Sequence, residues 1–274
     1  MTIISRFAPS PTGDLHLGHA YSAWLGRELA DIWYLRFEDI DSSRCRSEFI
    51  DSAFEDLAWL GLSWDGEIRC QSAHFADYAK ALDRLRELDL IYPCFCTRSE
   101  ILQAQSAPHE GSPLYLGTCR SYSASERQDR ISAGQPYALR LNTQRAHLIA
   151  GNVKFFDKKS GWITAEPQRL GDVVLARKDI PTSYHLCVVH DDALQGVTDI
   201  VRGEDLLEAT HIHVLLQKLL GYETPCYHHH GLLRGPDGKR LAKRDKSQTL
   251  KTLRLRGAEP TAIIRQFGSA LGFR

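Results

Sequence analysis

The sequence predicts an α/β protein: a Rossmann-like parallel sheet carrying an inserted subdomain and ending in a short helical tail. Three observations lead there. Short apolar runs alternate with segments whose apolar residues recur at helical spacing, the pattern of βαβ units. A proline- and glycine-broken turn joins the first run directly to a helix. Between about Pro93 and Asp179 the composition shifts to Ser, Gln, Arg and Gly, which marks an insertion between two halves of the sheet.

The elements follow in order. Ile3 to Phe7 reads as a buried strand, and helical spacing then runs through His19, Trp24 and Leu29. Ile32 to Phe37 is the second strand, closed by Glu38-Asp39-Ile40-Asp41. Phe49, Ala53, Leu57 and Leu60 mark one helix, and Phe75, Tyr78, Leu82 and Leu85 another. Within the insertion, Tyr137 to Leu141, Val153 to Phe156 and Val173 to Ala176 read as small strands. The core resumes with strands at Tyr184 to Val189 and Val197 to Arg202, then a helix through Leu220. A strand from Tyr227 to Leu233 enters the Gly235-Pro236-Asp237-Gly238 turn, and the tail from Thr249 to Phe273 is helical with a break near Gly257 and Pro260. The division is thus 1–92 for the first half of the core, 93–180 for the insertion, 181–246 for the second half and 247–274 for the tail.

Composition narrows the class. The 274 residues are 43% apolar and 25% charged, as in an ordinary globular protein, and no eighteen-residue apolar run could span a membrane. The N-terminus enters a strand pattern at once, without a signal region, and seven cysteines is an odd number. Together these point to a reducing cytoplasm rather than a disulfide framework. Net charge is zero, yet from Arg234 to Arg274 eleven Lys/Arg face three Asp/Glu, a local basic excess suited to phosphate.

Two motifs carry chemistry. Arg6-Phe-Ala-Pro-Ser-Pro-Thr-Gly13 runs into His16-Leu-Gly-His19, placing two histidines at the start of a helix with Gly18 allowing close approach. Far downstream stands Gly238-Lys-Arg-Leu-Ala-Lys243-Arg244. In this order the pair resembles the HIGH and KMSKS elements of class I aminoacyl-tRNA synthetases of the glutamyl type. The lysine loop departs from that family in Arg240, Ala242 and Arg244 but keeps Lys243.

The resemblance implies an ATP- and Mg2+-dependent ligase that forms glutamyl-adenylate. It assigns His16, Gly18, His19, Asp205 and Lys243 to the nucleotide, with His16, His19 and Lys243 acting on the phosphates. It assigns Arg6, Ala8, Ser10, Glu38, Tyr184 and Arg202 to L-glutamate. The residue types suit that ligand, since arginine forks bind carboxylates and a buried acid binds an ammonium. Val188 stands four residues after Tyr184, where full-length glutamyl enzymes place asparagine. Only about thirty residues follow the lysine loop, which leaves no anticodon-binding half. Both features match a stand-alone branch of the family that esterifies queuosine in tRNA(Asp), and imply a cytoplasmic monomer. The alternatives are a truncated enzyme charging the tRNA 3′ end and a catalytically silent tRNA-binding paralogue.

Cys94-x-Cys96 is a common zinc half-site. The same branch of the family carries C-x-C…Y-x-x-x-C, which adds Tyr115 and Cys119 as ligands of one structural Zn2+. Cys45, Cys70, Cys187 and Cys226 read as ordinary thiols, and His228-His229-His230 alternates faces of a strand.

Overall fold

A computed structural model describes residues 2–103, 115, 117–232 and 249–270. The core sheet begins with β1 (Ile4–Phe7), β2 (Ile32–Phe37) and β3 (Arg69–Cys70), all parallel, with Ile4 opposite Ile32 and Phe7 opposite Leu35. Helices α1 (Leu17–Leu29), α2 (Ser47–Trp59) and α3 (Phe75–Glu87) follow these strands. Gly26 lets α1 settle on the sheet: a Cβ there would stand 2.9 Å from the Trp33 ring nitrogen. The helix buries Ala20, Tyr21, Ala23, Trp24 and Leu25 against Trp33, Leu35 and Phe37.

The insertion opens with β4 (Ile91–Cys94) and α4 (Arg98–Gln103), then α5 (Ala124–Ser132), β5 (Ala138–Leu141) and α6 (Thr143–Ala150). After β6 (Lys154–Asp157) and β7 (Gly161–Thr164) comes β8 (Val174–Ala176). Strands β4, β5 and β8 form a separate antiparallel sheet. Strand β6 does something else: it runs parallel to β10 (Cys226–His230), with Asp157 opposite Tyr227, so the hairpin β6–β7 extends the sheet of β9 (Asp199–Gly203) and β10. Asp157 fastens the junction by accepting from His229 Nδ1 at 2.8 Å.

One sequence expectation is corrected. Tyr184–Leu194 is a helix, α7, not a strand through Val189. Leu186, Cys187, Val188, Val189, Asp191 and Asp192 are all buried, so its apolar residues are continuous and show no stripe. The longer α8 (Leu207–Leu220) is buried on nearly every side and ends at Gly221 with φ 70°. The tail packs back as α9 (Leu250–Leu255) and α10 (Pro260–Ala270), through Leu250, Ile263 and Phe267 on the core of α1. No helix among the described residues is long and apolar enough to cross a membrane.

Thr198 N donates to Ile4 O at 2.9 Å, so β9 lies beside β1. The three-stranded sheet β3-β2-β1 and the four-stranded sheet β9-β10-β6-β7 thus meet edge to edge, and read across this junction the strand order reverses between β1 and β9. At such a switch point the loops after the two strands diverge and leave a crevice. A buried ion network ties the two halves there. Asp192 of α7 accepts from Arg6 Nε of β1 and Arg36 Nη1 of β2, both at 2.8 Å. Its neighbour Asp191 accepts from Arg69 Nε at 2.7 Å, Gln71 Nε2 at 2.8 Å and the Tyr78 hydroxyl at 3.0 Å. Burial alone would raise the Asp192 pKa; the charges of Arg6 and Arg36 outweigh it and hold the group lowered. Arg36→Met should therefore cost about 3–5 kcal/mol, because it leaves buried carboxylates short of a partner. Urea unfolding monitored by circular dichroism reads the loss.

Candidate active site at the sheet switch point

The turn after β1 places Ala8 half-buried and Ser10 exposed at the carboxyl end of the sheet, and Glu38 follows β2 at the same end. Ser10 and Glu38 line a cavity of about 390 Å³ with Gln71, Tyr184 and His185. Its opposite wall comes from the insertion: Tyr115, Arg140, Asp172 and Arg177. A larger cavity of about 640 Å³ lies between α3, β5 and β8, but none of the sequence-predicted site residues lines it. The smaller cavity is the chemically furnished one.

Glu38 is 11% exposed, and Arg36 Nη2 stands 3.8 Å from its Oε1. Burial raises its pKa to about 7 despite the lowering charges of Arg36 and Arg6. A carboxylate balanced near neutrality at a cavity wall is suited to an incoming cation. Tyr184 stands at the first turn of α7, its pKa raised by burial. Arg6 is 6% exposed and grips Asp192 through Nε and Nη2; Nη1 has no hydrogen-bond partner among the described residues.

Arg202, 5% exposed on β9, does not itself line the cavity. Its Nη2 donates to the Thr210 hydroxyl at 2.6 Å, its Nε to His229 Nε2 at 3.3 Å, and Nη1 lies 3.3 Å from His213 Nδ1. Among the described residues no carboxylate comes within 4.0 Å, so the guanidinium is bound by neutral groups alone. A buried cation with no counter-charge is a place for an anion. Just beyond, Gly203 lets Asp205 curl over the strand end, where a Cβ at 203 would stand 2.5 Å from Asp205 Oδ1.

The two histidines of the first motif form the cap of α1. Gly18 N donates to His16 Nδ1 at 3.1 Å, His16 N donates to His19 Nδ1 at 3.2 Å, and the rings stack at 3.8 Å. Helix N-termini leave backbone donors unsatisfied, and this reciprocal cap satisfies two of them. A Cβ on residue 18 would approach His16 Cε1 to 3.0 Å. Lys243 and the rest of the lysine loop lie outside the described residues. The chain after it is anchored at this spot: Leu250 N donates to Leu15 O at 2.8 Å and Thr249 bridges to His16. Of the basic tail, Arg254 is engaged on α2, with Glu55 at 2.6 Å and Asp56 at 3.3 Å.

Cys94, Cys96 and Cys119 bring their sulfurs within 4.8 Å of one another, with Cys96 and Cys119 3.4 Å apart. The Tyr115 hydroxyl lies 3.9 Å from Cys96 Sγ. The fourfold cluster expected from the sequence is thus assembled. Burial raises the Cys96 thiol to about 12, whereas hydrogen bonds from Tyr115 and the Phe95 amide outweigh burial and lower Cys119. A second group, Asp199, Cys226 and His228, has only three donors, and His228 Nε2 already pairs with Asp199 at 2.9 Å.

Sequence reasoning missed Asp191, Asp192 and Arg36, although an arginine inside Ile-Trp-Tyr-Leu-Arg-Phe and an acid pair inside an apolar run signal buried partners. It also missed His185 and His213.

Residues 2–273 match the family described as tRNA synthetases class I (E and Q), catalytic domain. A glutamyl-Q tRNA(Asp) synthetase of Rhodobacter capsulatus is 47% identical over 97% of this chain and 100% of its own. One of Nocardia farcinica is 42% identical over 97% of this chain and 84% of its own. Among solved structures, a glutamate tRNA ligase of Elizabethkingia meningosepticum superposes with a TM-score of 0.74 at 26% identity. It covers 89% of this chain, which spans about half (52%) of that ligase.

Because His16 is a cap as well as a motif residue, His16→Ala should destabilise the protein by ~1 kcal/mol, and His16→Asn should restore most of that loss. Thermal unfolding of the two variants separates capping from any role in chemistry.

Proposed function

The chain belongs to the class I tRNA synthetases for glutamate and glutamine, and we propose that it activates L-glutamate with ATP and transfers it to queuosine in tRNA(Asp). The observation that carries the acceptor is the similarity at 42–47% identity to relatives bearing the name glutamyl-Q tRNA(Asp) synthetase, one of them matched over its whole length. In the first step a glutamate carboxylate oxygen attacks the α-phosphorus and pyrophosphate leaves. In the second a hydroxyl of the queuosine cyclopentenediol attacks the acyl carbon and AMP leaves. Neither step needs a protein nucleophile; the site must align reactants and stabilise charge on the phosphates.

The substrate roles follow the furnishing of the cavity. On the cavity wall Glu38 takes the ammonium and Ser10 and Tyr184 hold the amino acid. Arg6, Arg202 and the backbone at Ala8 do not line it; from behind the wall the two arginines supply positive charge for the carboxylates while Ala8 positions the turn. The α1 N-terminus with Gly18, His16 and His19 faces the nucleotide, Asp205 contributes from the β9 end, and Lys243 serves the phosphates. Magnesium bound with ATP offsets phosphate charge. Cys94, Cys96, Tyr115 and Cys119 offer four donors of the kind that hold a structural zinc ion, which would clamp the start of the insertion to its middle.

The acceptor is tested by incubating the protein with ATP, labelled glutamate and tRNA(Asp) from cells with and without queuosine. Label should appear only on the queuosine-containing RNA and map to the anticodon loop. Label on the terminal adenosine would instead favour a truncated glutamyl enzyme, and no glutamate-dependent pyrophosphate exchange would favour a silent paralogue.

The sign of the pH dependence follows from Glu38. Its folded pKa of about 7 means that the carboxylate is lost as pH falls from 8 to 6, and with it the ammonium partner. The KM for glutamate should rise on acidification by up to roughly tenfold per unit below 7, and a Glu38→Gln variant should show a flat profile. Steady-state exchange kinetics across that range check it.

A further inference from the structure

Arg202 starts two hydrogen-bond sequences whose direction is fixed, because a guanidinium has donors and no acceptor. The nitrogens it meets, His229 Nε2 and His213 Nδ1, each 3.3 Å away, must therefore accept. In a neutral imidazole the other nitrogen then carries the hydrogen. On the first branch His229 Nδ1–H donates to Asp157 Oδ2 at 2.8 Å, and the sequence ends on a carboxylate. On the second, His213 Nε2–H donates to His185 Nδ1 at 3.1 Å. That leaves the hydrogen of His185 on Nε2. His185 lines the 390 Å³ cavity, and its Nε2 has no hydrogen-bond partner among the described residues. The second branch thus ends at the cavity with a donor for which no described residue supplies an acceptor.

Both rings stay neutral at physiological pH. Burial, then the positive charge of Arg202, lowers the His185 pKa to about 4 and takes His213 well below its ordinary value. His213 is 2% exposed and does not line the cavity, so it can act on a ligand only through His185.

We propose that His185 is a specificity-determining residue that donates Nε2–H to a carboxylate oxygen of the bound amino acid, and that Arg202 locks it in this donor form through His213. The proposal rests on the reading of the cavity as the glutamate site. Its consequence is selectivity against the amide. An unconstrained imidazole can exchange tautomers and accept from an amide N–H; a locked one can only donate. A carboxylate accepts on both oxygens and an amide on one, so a wall of fixed donors favours glutamate over glutamine.

The test uses the full chain. Long-range nitrogen-15 NMR should show His185 protonated at Nε2 and bare at Nδ1. His213→Leu, which breaks the lock without altering the cavity wall, should lower the ratio of kcat/KM for glutamate over glutamine in pyrophosphate exchange by roughly tenfold, the size of one hydrogen bond, mainly through the KM for glutamate. His213→Gln offers an amide oxygen to Arg202 and an N–H to His185, and should recover the ratio. If His213→Leu does not fold, His185→Phe removes the donor from the other side and should lower the same ratio. An unchanged ratio in a folded His213→Leu or His185→Phe, or a wild-type His185 protonated at Nδ1, overturns the proposal. A wild type that exchanges with no amino acid would instead overturn the reading of the cavity, and the NMR result would still decide the lock.

Discussion

Two adjacent aspartates on one helix constrain the rest of this structure. Asp191 and Asp192 cannot be buried as carboxylates unless cations surround them, and Arg6, Arg36 and Arg69 come from three different strands to do so. Buried ion pairs give little net stability relative to apolar packing, but a misaligned one is severely costly. The network therefore acts on geometry. It fixes the rotation and height of α7 against β1, β2 and β3, and so decides which α7 residues reach the ligand end of the sheet.

Those residues are Tyr184 and His185, at the first turn of the helix. Behind them stands Arg202, held by Thr210, His213 and His229, with no carboxylate of its own among the described residues. In front stands Glu38, whose carboxyl shares Arg36 with the two aspartates. One buried arginine thus couples the structural pair to the group facing the cavity, and balances it near neutrality. The far wall is built separately, with Asp172 as its hub: it accepts from the Tyr92 hydroxyl and the Thr143 amide and pairs with Arg120.

Legibility differed from element to element for physical reasons. Helices α1, α2 and α3 were readable from helical spacing of their apolar residues, and strands β1 and β2 because each is a short, mostly buried apolar run bounded by turn residues. Helix α7 was read as a strand because it is buried nearly all round, and a short continuous apolar run looks the same in either conformation. The hairpin β6–β7 lies inside the stretch of altered composition yet joins the sheet through Asp157 and His229, a pairing of residues far apart in the chain. Ser10, Glu38 and Tyr184 were found from motif context and do converge on one cavity.

The sequence alone determined the class of sheet, the two histidines at a helix entry, the Cys94-x-Cys96 half-site and the resemblance to the glutamyl synthetases, which added Tyr115 and Cys119. The first three are written in local spacing, which backbone geometry turns directly into structure. Tertiary structure decided the rest. It gave Arg6 to Asp192, left Arg202 without a carboxylate among the described residues, and set the hydrogen-bond direction from Arg202 through His213 to His185. Whether a buried charge or ring nitrogen is available to a ligand depends on which other groups reach it first, and that is a property of packing among distant segments rather than of any one of them.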